Sequence, residues 1–279
     1  MKQVVRKVAM PALVCVLLGF VTDVLAMDRS QAFEHWRQHD AGSAMQIDHD
    51  AWEAFLLNYL RTDENGVHRV AYGEVKNQDH RALADYLDRL SKVEITAYRR
   101  PEQMAYWINL YNALMVKLVL DHYPIASIRM LDRSDSDAKS GPWVRPLIVI
   151  EGVSLSLNDI ENRILKPIFE DPRFLYAITC VAMSCPNLQP VPFHGTRIDR
   201  QLSDAAMDYV NDPRCIAIEN DELHVSSFYR WNFQAFGGSE QAIIRHLMAY
   251  AEPELAMRLQ GFERLHGDHF DWRLNDVAR

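Results

Sequence analysis

The sequence predicts an α+β fold, with helices surrounding a small, mostly antiparallel sheet. Three observations carry this. Apolar residues recur at helical spacing in several long stretches, most strongly over 102–121. Short β-rich runs come in pairs separated by turn residues, as in "WVRPLIVI-EG-VSLSL" and "CIAIENDELHVSS". Helices precede and follow the strands without regular βαβ alternation, which argues against a doubly wound parallel sheet.

The elements follow in order. Trp52, Phe55, Leu56 and Leu60 share one face of a helix over 49–62, and "DENG" then turns the chain. Leu83, Tyr86, Leu87 and Leu90 give a second amphipathic helix over 81–92. The stretch "EQMAYWINLYNALMVKLVLD" (102–121) is apolar nearly all round, so this helix should be central and buried. "HYP" ends it, because Pro124 disfavours helical geometry at Tyr123. A strand, a tight turn and a short strand follow over 143–157. Ser156 or Asn158 then caps a helix, with Asp159 or Glu161 three residues on. "RFLYAITCVAM" (173–183) reads as a buried strand, 199–211 and 239–251 as helices, and "FDWRLN" (270–275) as a segment docked onto the body. No linker breaks the stretch 27–279, which is read as a single domain.

The first 26 residues differ from the rest. Lys2, Arg6 and Lys7 precede the apolar run "VAMPALVCVLLGFV", and "VLA" ends at Ala26. That order is the pattern of a secretory signal peptide, with an uncleaved anchor as the alternative. Cleavage would remove three basic residues and one acidic residue from totals of 30 and 38, leaving 27 and 37 and a net charge of −10. An acidic chain of this kind argues against nucleic acid as a partner. No later run is apolar enough to span a bilayer stably, so the mature protein is expected in the periplasm or secreted.

Of four cysteines, Cys15 lies in the leader, leaving Cys180, Cys185 and Cys215. An extended strand rises roughly 3.3 Å per residue, which would set Cys180 and Cys185 about 16 Å apart. A disulfide needs roughly 4.4–6.8 Å between Cα atoms. On the strand reading the two therefore stay unbridged unless the chain bends near Met183 or Ser184. Cys180 reads as a small buried hydrophobe. Cys185, at the end of the run, is the candidate nucleophile.

Other candidates are weighed against plain structural roles. Asn109 and Asn112 lie three apart on the central helix. Their amides either tie the helix to neighbouring loops or orient a ligand or an oxyanion. Glu161 either caps its helix or serves as a general acid or base. His122 and His194 are the imidazoles available as a base, and His122 also suits a helix C-terminus. Trp107, Trp143, Phe228, Tyr229 and Trp231 either line a ligand cleft or pack the core. C-x4-C is not the usual paired zinc spacing, and "HGDH" (266–269) reads as a solvated tail, so no metal site is expected. No phosphate loop, G-x-S-x-G elbow or H-E-x-x-H motif is present, and no cofactor is indicated.

Several blocks together resemble one family, the bacterial domain of unknown function 547 (DUF547). They are "AYWINLYNALMVKLVLDHYP" (105–124), "SLSLNDIENRILKP" (154–167), "DPRFLYAITCVAMSCPNL" (171–188), "QLSDAAMDYV" (201–210), "VSSFYRWNFQAFGG" (225–238) and "FDWRLN" (270–275). The resemblance implies an exported protein but no particular activity. A papain- or transglutaminase-like arrangement, a central helix on a small antiparallel sheet, is the nearest analogy. There the helix offers a cysteine near its start; here it offers Asn109 and Asn112. Bacterial relatives often have His at the positions of Asn162 and Leu175, and plant relatives can have Ser at that of Cys185. Two functions follow: a periplasmic binding or accessory protein for a small molecule or peptide, or a hydrolase or acyl transferase with Cys185 as nucleophile.

Overall fold

The structure is a computed structural model that describes residues 29–131 and 141–277. The expected signal peptide, residues 1–26 with Cys15, lies outside the described residues.

The chain runs through α1 (Arg29–His35), α2 (Asp50–Tyr59), β1 (Leu60–Thr62), β2 (His68–Val70), α3 (Asn77–Leu90) and α4 (Arg100–Leu120). Then come β3 (Ile148–Ile150), β4 (Val153–Leu155), α5 (Leu157–Asp159), a π-helical stretch (Ile160–Leu165), α6 (Lys166–Phe169) and α7 (Phe174–Ala177). The remainder is α8 (Ile198–Val210), β5 (Ile216–Glu219), β6 (Glu222–Ser226), α9 (Ser227–Trp231), α10 (Glu240–Tyr250), α11 (Pro253–Leu259) and β7 (Gly267–His269). The class is α+β. In place of one sheet, the described strands form two antiparallel hairpins and a three-stranded sheet in the order β5-β6-β7. In that sheet β7 runs parallel to β6, with Val225 opposite Asp268. Three of the four residues of the "HGDH" segment are therefore strand, paired with β6 and not a free tail, although Asp268 and His269 stay exposed.

Helix α4 is the axis of the core. Every residue from Glu102 to Val119 except Lys117 is buried. Its chief neighbours are α3, α8, α5 and the π-helical stretch. Pro101 in its first turn supplies a preset φ and lacks an N–H that would have no helical partner there. The α5 start is a capping box: Ser156 Oγ accepts from the Asp159 N–H, and Asp159 accepts from the Ser156 N–H. Helix α2 stops at Tyr59, short of the expected residue 62, because Leu60 turns extended and pairs with Val70.

The expected strand over 173–183 is the main error. Phe174–Ala177 forms a helical turn, and Ile178 leaves it extended. Val181 then takes a left-handed φ of 55°. The chain turns through Met183 and Ser184, closed by the Cys185 N–H donating to the Ala182 carbonyl at 3.0 Å. This folded loop receives the strip 271–276. Met183 and Ser184 donate to the carbonyls of Arg273 and Asp271, while the Asn275 N–H donates to the Val181 carbonyl. The strip also reaches β2, where the Val70 N–H donates to the Asn275 carbonyl at 2.8 Å.

Candidate functional site

Asn109 and Asn112 work as backbone clamps. Asn109 Nδ2 donates to the Phe193 carbonyl at 2.8 Å, and its Oδ1 accepts from the Phe193 N–H at 3.0 Å. Asn112 does the same one turn on, to the Ala177 carbonyl at 2.8 Å and from the Thr179 N–H at 2.9 Å. Both side chains are buried. Of the two roles weighed for them, this is the tie between helix and loop. Glu102, on the same helix, accepts from the N–H groups of Ile47 and Gly195. Three polar groups on one buried helix thus satisfy backbone that would otherwise lose water at a cost.

Cys185 is bonded to Cys180, with Cα atoms 5.6 Å apart. This corrects the unbridged reading, and the bend at Val181 is the reason. In this form Cys185 carries no thiol and so cannot act as a nucleophile. Its sulfur accepts from the Ala182 N–H at 3.0 Å. Cys215 is the free thiol among the described cysteines; it is buried, and burial pushes its pKa far up. His122 Nδ1–H donates to the Leu118 carbonyl at 2.8 Å, closing the end of α4. The His194 ring lies 5.8 Å from that of buried His49. Among the described residues no hydrogen bond joins an imidazole to Cys185, so the candidates grouped around it in the sequence stay apart.

Glu161 has a different setting. It sits, partly buried, on the π-helical stretch. Such stretches widen the helix by a residue and re-aim side chains. The Tyr111 hydroxyl lies beside the Glu161 carboxylate, with the Trp143 indole N–H on its other side. Burial pushes the Glu161 pKa up to about 7, against the pull of the Lys166 ammonium and the Tyr111 bond. Tyr111 was not among the sequence candidates, although its place between the two asparagines in "NLYN" put it beside them.

Trp143 also links this group to the surface. Its ring is 6.0 Å from Trp272, which lies 4.6 Å from Phe270 and 5.3 Å from Trp231. Trp231 and Phe270 are 4.7 Å apart. The Arg129 guanidinium lies 5.3 Å above the Trp272 ring. Trp231 is 54% exposed, while Trp107, Phe228 and Tyr229 are buried in the core. The aromatic set thus divides: three pack inside, and Trp143 and Trp231 reach the surface with Phe270 and Trp272. The two-residue spacing in "FDW" was the available signal for that second pair.

The family comparison fits this geometry. The model described as "Protein of unknown function, DUF547" matches residues 95–210. The stretch 95–210 is similar to the DUF547 family. The matched stretch holds α4 with both clamps, Glu161, the Cys180–Cys185 bridge and α8, so it covers the core scaffold. Trp231, Phe270 and Trp272 lie beyond it. No curated protein matched the chain, and neither did any solved structure. Among the described residues no group of three or more His, Cys, Asp or Glu is placed to hold a metal ion. No described helix is long and apolar enough to cross a membrane.

Proposed function

We propose that this protein, whose stretch 95–210 resembles DUF547, is an exported binding or accessory protein acting in the periplasm or as a secreted protein. The observation that carries this is the Cys180–Cys185 bridge. Disulfides persist in oxidising compartments, in keeping with the leader-like first 26 residues. The same bond removes the Cys185 thiol that could have served as a nucleophile. The buried amides of Asn109 and Asn112 are occupied by backbone, so neither offers an oxyanion donor.

The test is alkylation and peptide mapping of the mature protein recovered from the cell envelope. One thiol, Cys215, should react, and only after denaturation, with 180 and 185 recovered as a linked pair. Native alkylation of Cys185 below about pH 8, where a stabilised thiolate reacts, would restore the hydrolase or acyl-transferase alternative. Recovery of the protein in the cytoplasm would overturn the export reading.

A further inference from the structure

We propose that Trp231, Phe270 and Trp272, with Trp143 and Arg129 at one end, form a stacking platform for a neutral carbohydrate chain. The proposal rests on the binding reading and names its ligand class.

The first argument is exposure. Large aromatic side chains gain most by full burial, so a tryptophan left 54% exposed forgoes part of that gain. Here it belongs to a contiguous set, with Trp231, Phe270 and Trp272 all within 5.3 Å of one another by ring centre. Trp231 is the exposed member, and Phe270 and Trp272 are partly buried behind it; exposed apolar surface with a polar rim marks an interaction site.

The second argument is the rim. Arg230, next to Trp231, pairs with Asp268 at 2.6 Å, and Asp268 also accepts from Ser227 Oγ at 2.6 Å. The Arg129 cation is held over the Trp272 face. The Arg230 charge is thus compensated by Asp268, and the rim offers guanidinium donors and a carboxylate acceptor side by side. A sugar ring has what this surface matches: a face of C–H groups that lies on an aromatic ring, and hydroxyls at the edge that both donate and accept. The acidic net charge of the chain, −8, further disfavours nucleic acid or an anionic surface.

The third argument is rigidity. Phe270 and Trp272 flank Asp271 on the strip that docks onto the bridged loop, through Ser184 N–H to the Asp271 carbonyl and the Asp271 N–H to Ser184 Oγ at 2.8 Å. A platform fixed before binding loses less entropy when the ligand arrives.

The experiment uses the mature chain on an array of neutral glycans. Titration calorimetry and tryptophan fluorescence follow with each retained glycan, for wild type and Trp231→Ala. Saturable binding of a neutral oligosaccharide is expected, with a Kd weakened at least ten-fold in the variant and an unchanged circular dichroism spectrum. Trp272→Phe, which keeps an aromatic face, should retain most of the affinity. Retention of no neutral glycan, equal affinity in Trp231→Ala, saturable binding of a proline-rich peptide instead, or concentration-dependent dimerisation that Trp231→Ala abolishes would each overturn the proposal. None of those results bears on thiol state or compartment, so the wider reading fails or stands separately.

Discussion

Asn109 holds Phe193 from both sides, accepting its N–H and donating to its carbonyl across 84 residues of sequence. The side chain imitates one rung of a β-ladder, so the loop needs no strand to satisfy its backbone. Replacing it with alanine leaves a buried donor and a buried acceptor together. Each orphaned group costs about 1–3 kcal/mol, so Asn109→Ala should lose roughly 2–5 kcal/mol in urea unfolding. Asn112→Ala should behave alike through Ala177 and Thr179. A loss under about 1 kcal/mol in either would contradict the clamp.

Gly195 lies against α4 with no room for a side chain. A β-carbon there would stand 2.6 Å from the Glu102 nitrogen and 2.7 Å from its Cα. Both are backbone atoms of a buried helix and cannot swing away. Gly195→Ala should force the loop off the helix, breaking the Gly195 N–H bond to Glu102 and costing on the order of 1–3 kcal/mol or more, as overpacking does. Thermal unfolding checks this; an unchanged midpoint would show that the loop yields freely.

The Cys180–Cys185 bridge closes a short loop, for which chain entropy gives a stabilisation of about 2 kcal/mol. Its removal by the double change to serine should be felt unevenly. Amide exchange should quicken at 181–185 and in the strip 271–276, while α4 keeps its protection. Uniform quickening across the chain would argue against a local staple.

Glu161 gives a pH signature. Its folded pKa, about 7, stands above the ordinary 4.5. Between those values the folded state holds more proton than the unfolded one, so stability falls as pH rises from 4.5 to 7. The span corresponds to at most roughly 3.5 kcal/mol at about 1.4 kcal/mol per unit. Glu161→Gln should remove this decline and be relatively more stable at pH 8 than at pH 4.5. A parallel pH profile for the two proteins would refute it.

His49 and His246 act in the opposite sense. Burial lowers each pKa from 6.5 to about 4, with the His194 charge adding to the effect at His49. Here the unfolded chain binds the extra proton, so stability is lost as pH falls from 6.5 towards 4. His49→Gln should flatten that acid limb by about one proton's worth of slope, seen by chemical denaturation at several pH values.

Much of the helical frame was legible because its signals are local. The all-round apolar run from Met104 to Val119 could only be a buried helix, and "END" and "EG" marked their hairpins. The Ser156 cap was likewise written in adjacent residues. Residues 173–183 misled because a buried helical turn and a buried strand look alike when short and apolar. What decided between them lay elsewhere: Asn112, on another element, captures Ala177 and Thr179 and bends the chain. The aromatic surface was half visible. Trp143 and Trp231 stood out by type, but only the fold of the strip 271–276 shows that Phe270 and Trp272 complete it. The Tyr111–Glu161 link depends on the π-helical register, which no local pattern announces.

The strip also has a consequence for the order of folding. Tyr72 and Asn275, joined at 3.1 Å, are 203 residues apart in sequence. The hairpin β1–β2 is made early in synthesis, yet its partner emerges among the last residues described. Until then the Val70 edge and the loop at Val181–Ser184 keep open backbone groups, a state in which chains associate wrongly. Contacts this distant in sequence also form slowly. The Val70 edge and the Val181–Ser184 loop therefore gain these partners only once the strip 271–276 has been made.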